Sequence, residues 1–444
     1  MSRHDVVVIG GGPAGLGAAQ RLGELGVRDV LVIERETEAG GVPRHCGHTG
    51  FGLREFRRLL HGPDYARQLT AAIQSAELRI AATVTRLLPG GDVEIATPRG
   101  PERLSGRAVL IATGARETPR SARLISGTRP WGVTTTGALQ QLVYLGRAKP
   151  FERAVIVGTE LVSFSAILTL RHAGIVPVAM IEEAGRITAR RPGDWIARTV
   201  FGVPVRTGTR IVAIHGLDRV EAVEIEGGNR RERIACDGVV FTGRFVPEAA
   251  LLAGSHLEVD PATGGPSIDQ HWRCSDPAYF AAGNLLRPIE TAATAWREGR
   301  AAAEAIAAAL AGRLPEAERE VRIGWAAPLR YVYPQRLSLP GWPVHRLLLR
   351  ARAARPARGR VGLVANGAEI WSQRISILPE RRISLPGERL SLDTLQTLSV
   401  VFTEAGVPEI AAQSAIKPQT ILTERSQPDT VSGKLAPDKN EAAE

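Results

Sequence analysis

Three glycines and one glutamate near the N-terminus have the residue types and spacing to hold a dinucleotide. In "DVVVIGGGPAGLG", Gly10, Gly12 and Gly15 stand in G-x-G-x-x-G spacing, and the next apolar run, Val30 to Ile33, ends at Glu34. Gly10 permits a tight turn, Gly12 lets backbone approach a pyrophosphate, Gly15 lets helix pack on strand, and Glu34 can accept both ribose hydroxyls. A second stretch, "VIVGTELVS" from Val155 to Ser163, repeats the motif in altered form: Gly158 keeps the turn position, while Glu160 and Ser163 replace the other two glycines. A carboxylate aimed at a pyrophosphate about 4 Å away repels it by roughly 4 kcal/mol at an effective dielectric of 20. If Glu160 turns into solvent instead, the second nucleotide still binds, and side-chain direction is not legible in the sequence.

The elements that must position these residues follow from the hydrophobic pattern. An apolar strand from Val6 to Ile9 runs into the glycines, and a helical pattern continues to about Gly26, with Pro13 and Ala14 in its first turn. The glycines in register, Pro13 and the closing Glu34 argue against a secretory leader, despite Arg3 and His4 ahead of an apolar stretch. A helix is predicted around Pro63 to Gln74, with strands near Ile80 to Leu88 and Val93 to Thr97. A strand from Ala108 to Ile111 breaks into Ala112-Thr113-Gly114. Such a strand-to-glycine break sets backbone beside a ligand. Residues 133–254 repeat the opening plan, and "YFAAGN" then leads through Gly283 and Asn284 to an Ala-rich helix from about Glu290 to Leu310. From Val321 to Val407 the pattern is β-rich, and Asn366-Gly367 between alternating runs marks a hairpin. The last stretch is polar and expected to be disordered.

Size and composition bound the rest. A chain of 444 residues, 44% hydrophobic, can bury two or three cores, and its 47 glycines and 29 prolines suit a many-stranded α/β protein. No apolar stretch reaches the length of a membrane span. Cys46, Cys236 and Cys274 are far apart, offer no metal or paired-thiol spacing, and suggest a reducing compartment. The net charge of +10 comes largely from arginines scattered among alanines, without the aromatic interleaving of single-strand binders, so nucleic acid is not expected. The densest basic run, His345 to Arg360, is either a solvated face or, through Arg346 to Arg360, a contact for an acidic protein or a membrane surface.

"VVVIGGGPAG", Glu34, "LIATGARETP" and "YFAAGN" occur in the order found in the two-dinucleotide-binding-domain flavoproteins of the pyridine nucleotide-disulfide oxidoreductase superfamily, which the chain resembles from about Asp5 to Leu310. "GGVPRHCGHTGFG", "GPDYA" and "GVTTTGALQ" further resemble the FAD subunits of opine oxidase, hydrogen cyanide synthase and hydroxyproline dehydrogenase complexes, and the flavoproteins that accompany anaerobic-type glycerol-3-phosphate dehydrogenases. The resemblance implies FAD, with Gly10, Gly12, Pro13, Ala14, Gly15, Glu34 and Gly41 around its ADP half and Val84 backbone near the adenine. It implies Ala112, Thr113 and Gly114 behind the cofactor, and Gly283 and Asn284 near the ribityl chain and phosphates. It also places the loop His45-Cys46-Gly47-His48 against the flavin. Cys46 and His48 are therefore the catalytic candidates, as an activated thiol and a proton carrier; the alternative is a buried filler with histidines that shape the loop.

Two further departures from that pattern matter. Asn284 replaces the usual Asp, and Cys46 has no second cysteine beside it, so disulfide exchange lacks its resolving sulfur. The expected fold is α/β, with two interleaved Rossmann-like domains in a glutathione-reductase-like arrangement and a small C-terminal β-rich domain. The expected divisions are residues 1–120 and 255–318 for the FAD-binding domain, 121–254 for the inserted domain, 319–410 for the β-rich domain and 411–444 for the tail. The expected function is an FAD-dependent dehydrogenase of a small molecule, an amino acid, opine, amine or polyol derivative. It would pass electrons to a partner protein or a carrier, with NAD(P) not used, no metal, and a location in the cytoplasm or at the inner face of its membrane. An NAD(P)H-dependent flavin reductase and a non-catalytic flavoprotein scaffold remain the alternatives.

Overall fold

In the computed structural model of the chain, residues 2–189, 192–287, 289–341 and 347–406 are described. The first sheet is built on the strand Ser2–Ile9, which lies parallel between Val30–Ile33 and Gly100–Ile111, with Val6 opposite Val30 and Val7 opposite Val109. Val6 to Ile9 are all buried, as a parallel strand covered on both faces requires. Glu77–Arg79 extends one side, the antiparallel strands Asp92–Thr97 and Thr83–Leu88 extend the other, and Tyr279–Ala281 returns to pair with the end of Gly100–Ile111. The strand predicted from Ala108 thus begins earlier. Its polar half, from Gly100, is held by ladder bonds to Asp92–Thr97, without an apolar run of its own.

The helix Pro13–Glu24 has Pro13 in its first turn, where a missing N–H costs nothing. It packs on the C-terminal helix Ala292–Leu310 at very close range. A Cβ on Gly17 would lie 2.7 Å from Trp296 Cδ1, and one on Gly299 would collide with the carbonyl of Ala14. That second helix begins at Ala292, two residues after the predicted start, because the Thr291 hydroxyl caps it by accepting from the Thr294 amide at 3.3 Å. The helix predicted at Pro63 to Gln74 runs from Gly62 to Ala71.

Between the short strands Ala115–Glu117 and Phe245–Pro247, which pair with each other, the chain makes a second α/β unit. Its parallel sheet has the order Val133–Thr135, Gly238–Phe241, Arg153–Val157, Val176–Ile181, Val205–Arg206. Ala154 and Ile156 face a helical layer that includes Leu161–His172. Val155 faces a four-stranded sheet that includes Thr209–His215 and Ala222–Gly227. Alternate residues of one strand therefore serve two cores.

Strands from Arg319–Trp325 to Leu398–Glu404 form two further sheets around a core that includes Leu337, Leu349, Leu363 and Val400. Asn366 and Gly367, both at positive φ, turn the strand Ala357–Ala365 into Ala368–Ile377. The basic run is not one solvated face. It contributes the strands Leu348–Ala353 and Ala357–Ala365, and Arg350, Arg352, Arg355 and Arg360 pair with acids of the chain itself. Arg346, Val407 and the tail expected to be disordered lie outside the described residues. Among the described residues, no helix is long and apolar enough to cross a membrane.

Candidate functional site

Four loops converge on the start of the helix Pro13–Glu24. Gly10 has φ +106°, and a Cβ there would lie 2.6 Å from the Ala112 carbonyl oxygen; a Cβ on Gly15 would collide with the Gly10 carbonyl. Gly12 caps the helix and meets the loop at Gly41, where a Cβ would lie 2.8 Å from Gly12 Cα. The first-turn amides of Ala14 and Gly15 have no intrahelical acceptor, which makes this end a site for an anion. Gly283, at φ +79°, brings the fourth loop to within 2.8 Å of Ala14 Cβ, measured from the Cβ it lacks.

Glu34 is buried, and its carboxylate accepts from the amides of Gly11 at 2.8 Å and Glu36 at 2.9 Å. Its carbonyl accepts from Ala82 at 3.0 Å, which sets the strand of Val84 beside it. Thr113 donates through Oγ1 to the Glu248 carbonyl at 2.8 Å, while Gly114 faces open space. This nest of backbone, closed to β-carbons at Gly10, Gly15 and Gly41 and edged by one carboxylate, fits the ADP half of FAD. Asn284 is engaged by the turn that follows it. Its side chain donates to the Glu290 carbonyl at 3.2 Å and accepts from the Glu290 amide at 2.8 Å.

The loop after Gly41 forms a short turn, Val42–His45, that buries Cys46. Cys46 Sγ donates to the Val42 carbonyl at 3.4 Å and to Gln140 Oε1 at 3.5 Å, and Gln140 in turn donates to Ser165 Oγ at 2.9 Å. Burial, with the Glu117 carboxylate nearby, pushes the thiol up to about 12. The lowered pKa expected from two flanking imidazoles does not occur. One of them, His45, is itself buried and held neutral, pushed down to about 4. His48 is half-buried, stacks on Phe51 at 5.4 Å between ring centroids and has Nδ1 2.8 Å from the Thr49 carbonyl. Native Cys46 is therefore expected to resist alkylation near neutral pH, and Cys46→Ser to keep both its flavin and the rate at which substrate reduces it. Loss of reduction with flavin retained would make the sulfur catalytic.

At the second motif, Glu160 does not turn into solvent. Its Oε2 accepts from Thr242 Oγ1 at 3.1 Å and from Ser163 Oγ at 3.3 Å. A Cβ on Gly158 would lie 2.5 Å from that oxygen, and one on Gly243 would collide with the same carboxylate. The carboxylate thus fills the glycine hollow, and burial raises its pKa above the ordinary range against the pull of Arg123. Glu182, at the end of the next strand, accepts from Thr159 Oγ1 and, at 3.2 Å, from Thr188 Oγ1, whose amide donates to Thr159 Oγ1 at 2.9 Å.

Two groups escaped sequence reasoning. Glu117, nearly buried, accepts from the amides of Gly137 at 2.8 Å and Gly243 at 3.1 Å, so it ties the connecting strand to the inserted unit. Arg287 is 2% exposed, pairs with Glu298 and lies 4.4 Å from the Tyr333 ring. A lone arginine in the apolar stretch "NLLRPIE" was the one available signal.

The pyridine nucleotide-disulphide oxidoreductase family matches residues 4–299, so the all-β domain falls outside the match. An opine oxidase subunit of Rhizobium meliloti (strain 1021) is 30% identical over 346 residues, 71% of this chain and 73% of that protein. Hydrogen cyanide synthase subunit HcnB of Pseudomonas protegens is 26% identical over 324 residues, 63% of this chain and 65% of that protein. Thioredoxin reductase of T. acidophilum shares the fold, with a TM-score of 0.60 at 21% identity over 70% of this chain and 99% of that one. With its first glycine nest intact, the chain belongs to the pyridine nucleotide-disulphide oxidoreductase family and is an FAD-dependent oxidoreductase.

Proposed function

We propose that this chain is the FAD-bearing subunit of a dehydrogenase complex that oxidises an amino acid, opine, amine or polyol derivative and delivers the electrons to an acceptor other than NAD(P). One observation carries the proposal: the first glycine nest is open to a dinucleotide, while the second holds the carboxylate of Glu160. The acid at the end of the following strand, Glu182, is likewise taken up by Thr159 and Thr188. The names of two relatives support a subunit of a complex, since one belongs to an opine oxidase and another to hydrogen cyanide synthase, each as one of its subunits.

When bound, FAD supplies the two-electron chemistry; the protein supplies position and electrostatics. In this proposal the nest of Gly10, Gly12 and Gly15 and the carboxylate of Glu34 hold the ADP half. Cys46 is packing in the loop after Gly41, and the half-buried His48 is the proton carrier. The test is an anaerobic screen of the purified protein, alone and with candidate partner proteins, in which the visible flavin absorption is followed during addition of amino acids, opines, secondary amines and polyol phosphates. Bleaching by one of these classes, reversed by a quinone or ferricyanide and not by NAD+, is the expected result. Rapid bleaching by NADH or NADPH would replace the proposal with a pyridine-nucleotide-dependent reductase.

A further inference from the structure

The all-β domain grips the turn that follows Gly283. In the strand Leu348–Ala353, Leu349, Ala351 and Ala353 point into the domain's own core, so Arg350 and Arg352 point out of it. They do not meet solvent alone. Arg350 Nη1 lies 2.8 Å from Glu298 Oε1, on the helix Ala292–Leu310, and Arg352 donates to the Ile289 carbonyl at 3.2 Å and lies 3.8 Å from Glu290. Arg382 Nη1 reaches Glu290 Oε2 at 3.0 Å. The same two acids receive Arg287 from the other side, at 3.2 Å for Glu298 Oε2 and 3.9 Å for Glu290 Oε1. Glu290 is also the residue whose backbone holds both ends of the Asn284 amide.

We propose that Arg350, Arg352 and Arg382 are positioning residues for the flavin: through Glu290 and Glu298 they fix the turn of Gly283 and Asn284 against the start of the first helix. This rests on the assignment of that turn to the FAD site. The physical argument is one of place more than of strength. Buried ion pairs recover little net stability because desolvation offsets their attraction, but breaking one leaves an uncompensated buried charge, and that cost opposes any shift of either partner. The side chains of Glu298 and Glu290 are 5% and 10% exposed, so such a shift would be costly here. Gln335, Arg336 and Ser338 tie the all-β domain to residues 260–274; the guanidinium groups of Arg350, Arg352 and Arg382, meeting two carboxylates that also receive Arg287, are its ties to the turn after Gly283. Arg350, Arg352 and Arg382 of this arginine-rich part of the chain thus have partners inside the molecule.

The experiment is FAD release from the full-length holoprotein well below its melting transition, followed by the recovery of flavin fluorescence after dilution. Arg350→Gln, Arg382→Gln and the double variant are compared with Arg355→Gln, whose exposed pair with Glu404 is remote from the turn, and with Gly283→Ala, which forces the turn off Ala14. The double variant is expected to release FAD about tenfold faster, each single variant less, as for loss of charge-assisted bonds. The band shape of the flavin still bound should change, Arg382→Lys should restore most of the original rate, and Arg355→Gln should be silent. A role confined to stability would lower the melting temperature and leave the release rate and band shape unmoved. Wild-type release from the single and double variants, with fast release from Gly283→Ala, overturns the clamp alone. Unchanged release from Gly283→Ala as well removes the turn from the flavin site, and the clamp with it.

Discussion

Gly12→Glu is expected to purify as a colourless, folded protein. The position separates binding from folding, which its neighbours do not. A Cβ on Gly12 meets only Gly41 Cα, at 3.8 Å, and its φ of −85° suits any L-residue. A Cβ on Gly15 collides with the Gly10 carbonyl, so a variant there would lose the strand-turn-helix itself. The glutamate would stand at the N-terminal end of Pro13–Glu24, where the free first-turn amides favour an anion. Brought to about 4 Å from a phosphate charge, it adds roughly 4 kcal/mol of repulsion at an effective dielectric of 20, close to a thousandfold in affinity. Gly12→Ala, which adds bulk without charge where backbone approaches the pyrophosphate, should lose less flavin than Gly12→Glu. The ratio of visible to protein absorbance reports occupancy, and the melting curve of each apoprotein reports folding. Full flavin occupancy in Gly12→Glu would remove the first motif from the cofactor site.

The first nest was legible because its constraints are local. Gly15 is needed by the Gly10 carbonyl, and Glu34 is met by the amides of Gly11 and Glu36, so one short stretch holds the arrangement. The surroundings of Cys46 were not legible, because Gln140 and Glu117 come from segments far along the chain that only the fold brings beside it. The imidazoles flanking Cys46 in sequence suggested a reactive thiol; the burial of His45, and of the sulfur itself, keeps His45 neutral and pushes the thiol up instead. The basic run was only partly legible for the same reason: its charge density is visible in the sequence, while the acids that take up Arg350 and Arg352, Glu298 and Glu290, lie on a distant segment. At Glu160 the residue type was visible, while its direction, into the hollow beside Gly158 and Gly243, was not.

NADH and NADPH at about millimolar concentration are expected neither to bleach the flavin at a useful rate nor to raise the melting temperature, since a ligand stabilises only in proportion to its occupancy. To enter the second hollow, a pyrophosphate must displace a carboxylate that accepts from both Thr242 and Ser163 beside Gly158 and Gly243. Protonation would remove its charge but not its volume. The double change Glu160→Gly with Ser163→Ala clears both. Thr242 Oγ1, released from Glu160, can donate to the Val157 carbonyl at 3.1 Å instead, so the fold should survive the loss of its Ser163 partner. The gain should still be limited, because Ser163→Ala keeps a β-carbon at the position of the third glycine of the motif. Calorimetry on the two proteins side by side should give weak but measurable NAD(P)H binding in the double variant and none in the parent. Tight binding by the unmodified chain would mean that Glu160 swings clear on ligand entry, and the electrons of this flavoprotein would then have a pyridine nucleotide at one end of their path.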